Sequence, residues 1–201
     1  ILKIPFIHAL RSHPKKILYV FTLAGFLGIA TYLGLAFFPT YLIHYRHFAK
    51  DQVMQLISII NIIYLIFVPV SAMISDKVGR KPVLIITTLL FIILSYPAFL
   101  LIATGSLQSA FIGITIILCL YGAEVAIFVT VISELFPTEE RYSGVTTGYN
   151  LGNAIFGGTT PLVATYLIHF THSQTAPAWY LTISGILTLF VIFTMPETVK
   201  K

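Results

Sequence analysis

The sequence predicts an all-α membrane protein, a bundle of six transmembrane helices. Three observations lead there. Only 9% of the 201 residues are charged and 57% are hydrophobic, against about 25% charged in a soluble domain; the mean hydropathy is +0.93. The charge-poor runs have bilayer length, since about 20 apolar helical residues cross the hydrocarbon core. Lys and Arg collect in the intervening turns, and nearly all on one side.

The elements follow in order. Residues 1–16 (ILKIPFIHALRSHPKK) read as the end of a cytoplasmic loop, and the first span runs about 17–43, closing near His44. The second runs about 53–75. After Lys81 no charge appears until Glu124, a stretch too long for one passage, and ATGSLQS (103–109) supplies the turn within it. Spans three and four are therefore about 83–103 and 109–134. HFTHSQTAPA (169–178) likewise divides the run between Arg141 and Glu197 into spans of about 143–168 and 178–195. The bundle occupies 17–198, and residues 199–201 form a tail. The chain begins at Ile1 and its first Met is Met54, inside an apolar run, so further sequence is expected before it.

With six passages both termini share a side. That side holds Lys3, Arg11, Lys15, Lys16, Lys77, Arg80, Lys81, Arg141, Lys200 and Lys201; the other holds Arg46 and Lys50. The asymmetry predicts cytoplasmic termini and argues against a nucleic-acid surface. The lone Cys119 excludes an intrachain disulfide and a cysteine-based metal cluster. Neither a nucleophile with its base nor a phosphate-binding loop is present, so the expectation is a protein that is not an enzyme and carries no cofactor. His44/His47 and His169/His172 have i, i+3 spacing at span ends. They read as interfacial polar residues, and no metal site is assigned to them.

The segment SDKVGRKP (75–82) reads as a tight turn, with Gly79 free to take a turn conformation and Pro82 opening the next helix. Its wider pattern, Ala72-x-Ile74-Ser75-Asp76-Lys77-x-Gly79-Arg80-Lys81, resembles the loop signature of the major facilitator superfamily, departing at Ala72 for Gly and Ile74 for Leu. SELFPTEERYSG (133–144) is similar to that superfamily's loop between helices 10 and 11, and MPET (195–198) to the end of its helix 12. GYNLGNAIFGGTTPLVATYLI (148–168), FFPTYL (37–42) and ALRSHPKKIL (9–18) resemble the metabolite:proton symporters, which include proline/betaine, dicarboxylate and citrate permeases. The resemblance implies helices 7–12 of a twelve-helix bacterial inner-membrane transporter. Its expected partners are an N-terminal six-helix half, a small solute with protons, and the lipid bilayer. A non-transporting sensor or scaffold with this fold is the alternative from another class, and a facilitator or antiporter without proton coupling is a third.

Individual residues extend this picture. Glu124 lies ten residues from Glu134, about 15 Å along a helix, and so near the bilayer midplane. An acid there is either a proton- or cation-binding group or a neutral packing residue. The resemblance puts it on a cavity-lining helix, with Tyr121 on its face. Tyr32 in span one and Asn150 and Asn153 in span five are the other candidates for a polar lining. Gly144, Gly148 and Gly152 form a four-residue stripe suited to close helix packing, while rotation at 100° per residue puts Asn150, Asn153 and Gly157 opposite it. Gly157, Gly158 and Pro161 are expected to weaken or bend this helix. Span three reads as a featureless peripheral helix. By resemblance, Asp76, Gly79, Arg80, Glu134 and Arg141 belong to a cytoplasmic gate, with Arg80 pairing to Glu134.

Overall fold

A computed structural model describes residues 13–137 and 141–197. The predicted loop over 1–12, the last residue of the MPET segment and the tail at 199–201 lie outside the described residues. The fold is all-α. Among the described residues, five helices are long and apolar enough to cross a membrane: Pro14–His44, Lys50–Val78, Arg80–Ala103, Leu107–Leu135 and Ala176–Thr194. A sixth passage, 141–171, is broken in the middle.

The first passage is α1 (Pro14–Tyr32), a π-helical turn (Leu33–Phe37) and α2 (Phe38–His44). Pro39 causes the π turn. A proline has no N–H to give the carbonyl four residues back, and its ring clashes with that carbonyl. The chain widens instead, and Phe38 N–H bonds to Leu33 O. Next come α3 (Lys50–Val78), α4 (Arg80–Ala103) and α5 (Leu107–Leu135). Ser106 caps α5, accepting the Ser109 N–H at 3.0 Å. The fifth passage is α6 (Arg141–Gly152), a second π turn (Asn153–Gly157) and α7 (Thr160–Thr171). Its cause is the same, with Pro161 downstream and Gly158 N–H bonded to Asn153 O at 3.0 Å. The last passage is α8 (Ala176–Thr194).

Charged ends proved to be helix rather than loop. Asp76 and Lys77 form the last turn of α3, and Arg80 and Lys81 the first turn of α4; the expected eight-residue turn reduces to Gly79. Polar side chains at a membrane interface cost a helix nothing, so charge marks the boundary of the bilayer and not of the helix. Gly79 has φ 115° and ψ 153°, a region essentially reserved for glycine. A Cβ there would also lie 3.1 Å from Glu197 Oε2 and 3.3 Å from Pro82 Cδ. Gly79→Ala is expected to cost about 1–3 kcal/mol, seen as a lower thermal unfolding midpoint of purified protein.

The first passage is the centre of the bundle: 67% of its most apolar window is buried, against 17% for α3. Helices α5, α6 and α8 pack on α1, while α4 joins α5 to α8. The apolar core divides at mid-depth. One cluster gathers Phe26, Leu33, Phe38, Phe91, Phe99 and Ile117, and the other Leu23, Leu84, Ile127, Phe128, Leu135 and Ile192. Leu65, Ile66, Leu162, Phe170 and Phe190 are more than half exposed, as surfaces facing hydrocarbon or another helix are.

Candidate functional site

Three arrangements concern the predicted residues. At the end rich in Lys and Arg, Arg80 sits over α3 and α5. Its Nη1 donates to Asp76 Oδ1 and to Ser75 Oγ at 2.9 Å, and its Nη2 lies 3.5 Å from Glu134 Oε1. The Arg80 side chain is 12% exposed, Glu134 31% and Asp76 61%. One guanidinium thus ties three side chains from two helices, which its planar fork permits and an ammonium would not. Arg141 is exposed at the start of α6, beside Ser133 and Tyr142, outside this cluster.

Two further residues complete this end, and sequence reasoning gave them no such role. Glu197 accepts the backbone N–H groups of Arg80 at 3.1 Å and Lys81 at 3.2 Å, so its carboxylate caps the positive end of α4. Lys81 Nζ donates to Phe193 O at 2.8 Å and Met195 O at 2.7 Å, capping the negative end of α8. The two caps are reciprocal. An acid 117 residues away in sequence cannot be matched to a helix start without the fold.

At mid-depth, Glu124 has 0% exposure. It does not line an open face. Its Oε1 accepts from Thr88 Oγ1 at 2.7 Å, and its Oε2 has no hydrogen-bond partner among the described residues. Span three is consequently not featureless: α4 buries Thr87, Thr88, Phe91, Ser95 and Phe99 and supplies the partner of Glu124. The Thr87-Thr88 pair, the only polar residues in the run 83–94, was the available signal. Tyr121, one turn from Glu124, is half-buried and 5.8 Å ring to ring from Tyr64.

The third arrangement joins the fifth passage to the first. A Cβ on Gly148 would lie 2.8 Å from Val20 Cβ, and one on Gly152 2.9 Å from Gly25 N; Gly144 lies against the Phe136 ring. Gly157 continues this stripe and does not oppose it, contrary to the rotation argument. Its hypothetical Cβ meets Gly28 Cα at 3.1 Å, Asn153 Oδ1 at 2.9 Å and the Tyr32 ring at 3.0 Å. The π turn is the reason: it adds a residue to the turn, so a five-residue step from Gly152 lands on the face that a four-residue step reaches elsewhere. Asn153 accordingly points to Gly28, and Asn150 is exposed. Tyr32, Asn153 and Gly157 therefore come together; Glu124 and Asn150 are apart from them.

At the opposite end, Tyr41 Oη and Arg46 Nη1 both donate to Gln174 Oε1, at 2.8 and 2.9 Å. That joins the turn after α2 to the turn before α8.

Comparison with known proteins agrees with this architecture. The family model described as Major Facilitator Superfamily matches residues 20–201. The chain is 29% identical over 189 residues to the glycine betaine/proline/ectoine/pipecolic acid transporter OusA of Dickeya dadantii, covering 94% of this chain and 38% of that protein. It is 27% identical to the proline/betaine transporter of Salmonella typhimurium, over 99% of this chain and 40% of that protein. It is 32% identical to a putative proline/betaine transporter of Staphylococcus aureus, over 94% of this chain and 41% of that protein. The chain spans about two fifths of the length of these curated relatives.

Proposed function

The chain belongs to the Major Facilitator Superfamily, and from that premise we propose that it is the C-terminal six-helix half of a secondary active transporter. The whole protein takes up a small zwitterionic solute of the proline or betaine kind together with protons, in the inner membrane of a bacterium. Both termini are cytoplasmic. An N-terminal six-helix half completes the solute path, and the two halves rock about a site near the midplane.

The observation that carries proton coupling is Glu124, an acid at zero exposure in mid-span. An ionised carboxylate at that depth costs about 2.5–3.5 kcal/mol on insertion scales, and such residues are retained in membranes for ion and proton handling. The solutes for which these relatives are named support the solute class. So does the side-chain chemistry. No Lys or Arg lies at mid-depth in the described spans to bind a multiply charged anion, whereas the faces of Tyr64 and Tyr121 suit a quaternary ammonium. The Arg80 cluster serves as the inner gate, whose modest ion pairs form in one state and part in the other.

Radiolabelled glycine betaine uptake by the full-length protein in cells tests the reading. Uptake is expected to collapse with a protonophore, and Glu124→Gln to abolish accumulation. Protonophore-resistant accumulation, or full activity in Glu124→Gln, would remove proton coupling through this residue.

A further inference from the structure

We infer that Thr88 is the positioning residue of the Glu124 proton site, which makes α4 part of the coupling machinery. The inference rests on the reading of Glu124 as the proton carrier, and three observations lead to it.

The first is how the span hydroxyls are used. Thr22, Thr31, Thr87, Thr115, Thr130, Thr147 and Thr188 each donate to the carbonyl four residues back in their own helix. That is the default for a hydroxyl with no water to bond. Thr88 departs from it and reaches across to Glu124 at 2.7 Å, both residues having 0% exposure. The second is location. Leu84 and Ile127 belong to one apolar cluster, and Phe91 and Ile117 to the other, so the pair lies in the seam between them. Here two helices are held by a polar contact where packing is divided. The third is that, among the described residues, no second acid or cation lies at this depth. Around this level the titratable groups are Cys119 and Tyr121 on α5 itself, Tyr64 on α3 and Tyr149 on α6, the last against Phe128. The charged residues of α1, α3, α4 and α6 all lie toward helix ends.

A hydroxyl is the neutral group that serves both protonation states of a carboxyl. With Glu124 ionised, the Thr88 O–H donates to Oε1. When one proton arrives from water at Oε1, the new carboxyl O–H donates to Thr88 Oγ1, and the Thr88 hydrogen turns away from Oε1. Release of the proton to water reverses both movements. No other bond changes. The switch exchanges an α4–α5 bond in which α4 donates for one in which α5 donates. Oε2 stays open to a second partner throughout.

Thr88→Val keeps the shape and removes both functions; Thr88→Ser keeps both functions; Thr88→Ala is a smaller check on packing. Infrared difference spectra of the purified full-length protein between acid and alkaline pH read the site without a substrate. A carboxyl C=O band that Glu124→Gln deletes identifies Glu124 as the titrating acid. That band is expected to move to higher wavenumber in Thr88→Val and Thr88→Ala and to stay in place in Thr88→Ser. In proteoliposomes, proton-driven glycine betaine accumulation is expected to fall in Thr88→Val by roughly tenfold to a hundredfold, the factor that one hydrogen bond to a charged group carries. Exchange of internal for external glycine betaine is expected to fall far less. A band deleted by Glu124→Gln yet unmoved by Thr88→Val overturns this inference and leaves the proton-carrier reading standing. A spectrum in which Glu124→Gln deletes no band overturns the proton-carrier reading, and this inference with it. Equal loss of accumulation and exchange in Thr88→Val, with the band in place, reduces Thr88 to packing.

Discussion

Gly152→Val is expected to prevent the first and fifth passages from closing, with loss of folded protein or a large drop in its thermal midpoint. A Cβ at position 152 falls onto the Phe21 carbonyl and lies 2.9 Å from Gly25 N. Both are backbone atoms of α1, so no side chain can turn aside. The valine branches would drive the helices apart along the whole stripe that includes Val20 at Gly148 and Gly28 at Gly157. Overpacking a tight contact costs about 1–3 kcal/mol, and more where the neighbour is fixed. Since each kcal/mol moves the midpoint of a protein this size by about 2–4 °C, a fall of roughly 6 °C or more is the expected reading. Ala154→Val is the control: Ala154 is exposed on the same passage, and such substitutions usually stay within about 0.5 kcal/mol. Equal melting of the two variants would mean that the helices do not approach at Gly152.

Arg80→Ala is the second large effect, and it falls on transport more than on folding. The substitution strips Asp76, Glu134 and Ser75 of a shared partner. Because Asp76 is 61% exposed and Glu134 31%, water takes over much of the lost pairing, and the stability penalty stays near the range of exposed ion pairs, about 0–1 kcal/mol. The geometry, however, has no substitute. Arg80→Lys keeps the charge but offers no fork to hold two carboxylates and a hydroxyl at once. In the full-length protein, glycine betaine uptake is expected to be lost in Arg80→Ala and to remain weak in Arg80→Lys, with both variants present in the membrane in normal amount. Uptake at the original rate in Arg80→Lys would show that charge alone suffices at this end.

Much of this architecture was legible in the sequence. Charge-poor runs of bilayer length identify passages, because every buried backbone group must be paired within its own helix and charge is excluded from hydrocarbon. The pairing of Arg80 with Glu134 was implied by the resemblance of residues 72–81 to the superfamily's loop signature. Glu124 stood out as an acid in mid-span, where charge is costly. The glycine stripe at 144, 148 and 152 was visible through its helical period.

What those patterns left open depended on rotation and on distant partners. Helical phase is carried from residue to residue, so one π turn at Asn153–Gly157 sufficed to bring Gly157 to the α1 face and to separate Asn153 from Asn150. The same uncertainty hid the direction in which Glu124 faces, toward Thr88 of α4 and not toward an open lining. The caps exchanged by Glu197 and Lys81 join segments more than a hundred residues apart. Composition and period alone determined which segments cross the bilayer, since transfer out of water acts on each segment separately. The tertiary structure alone decided which side chains meet, since hydrogen bonds and close backbone contacts depend on how six helices are turned against one another.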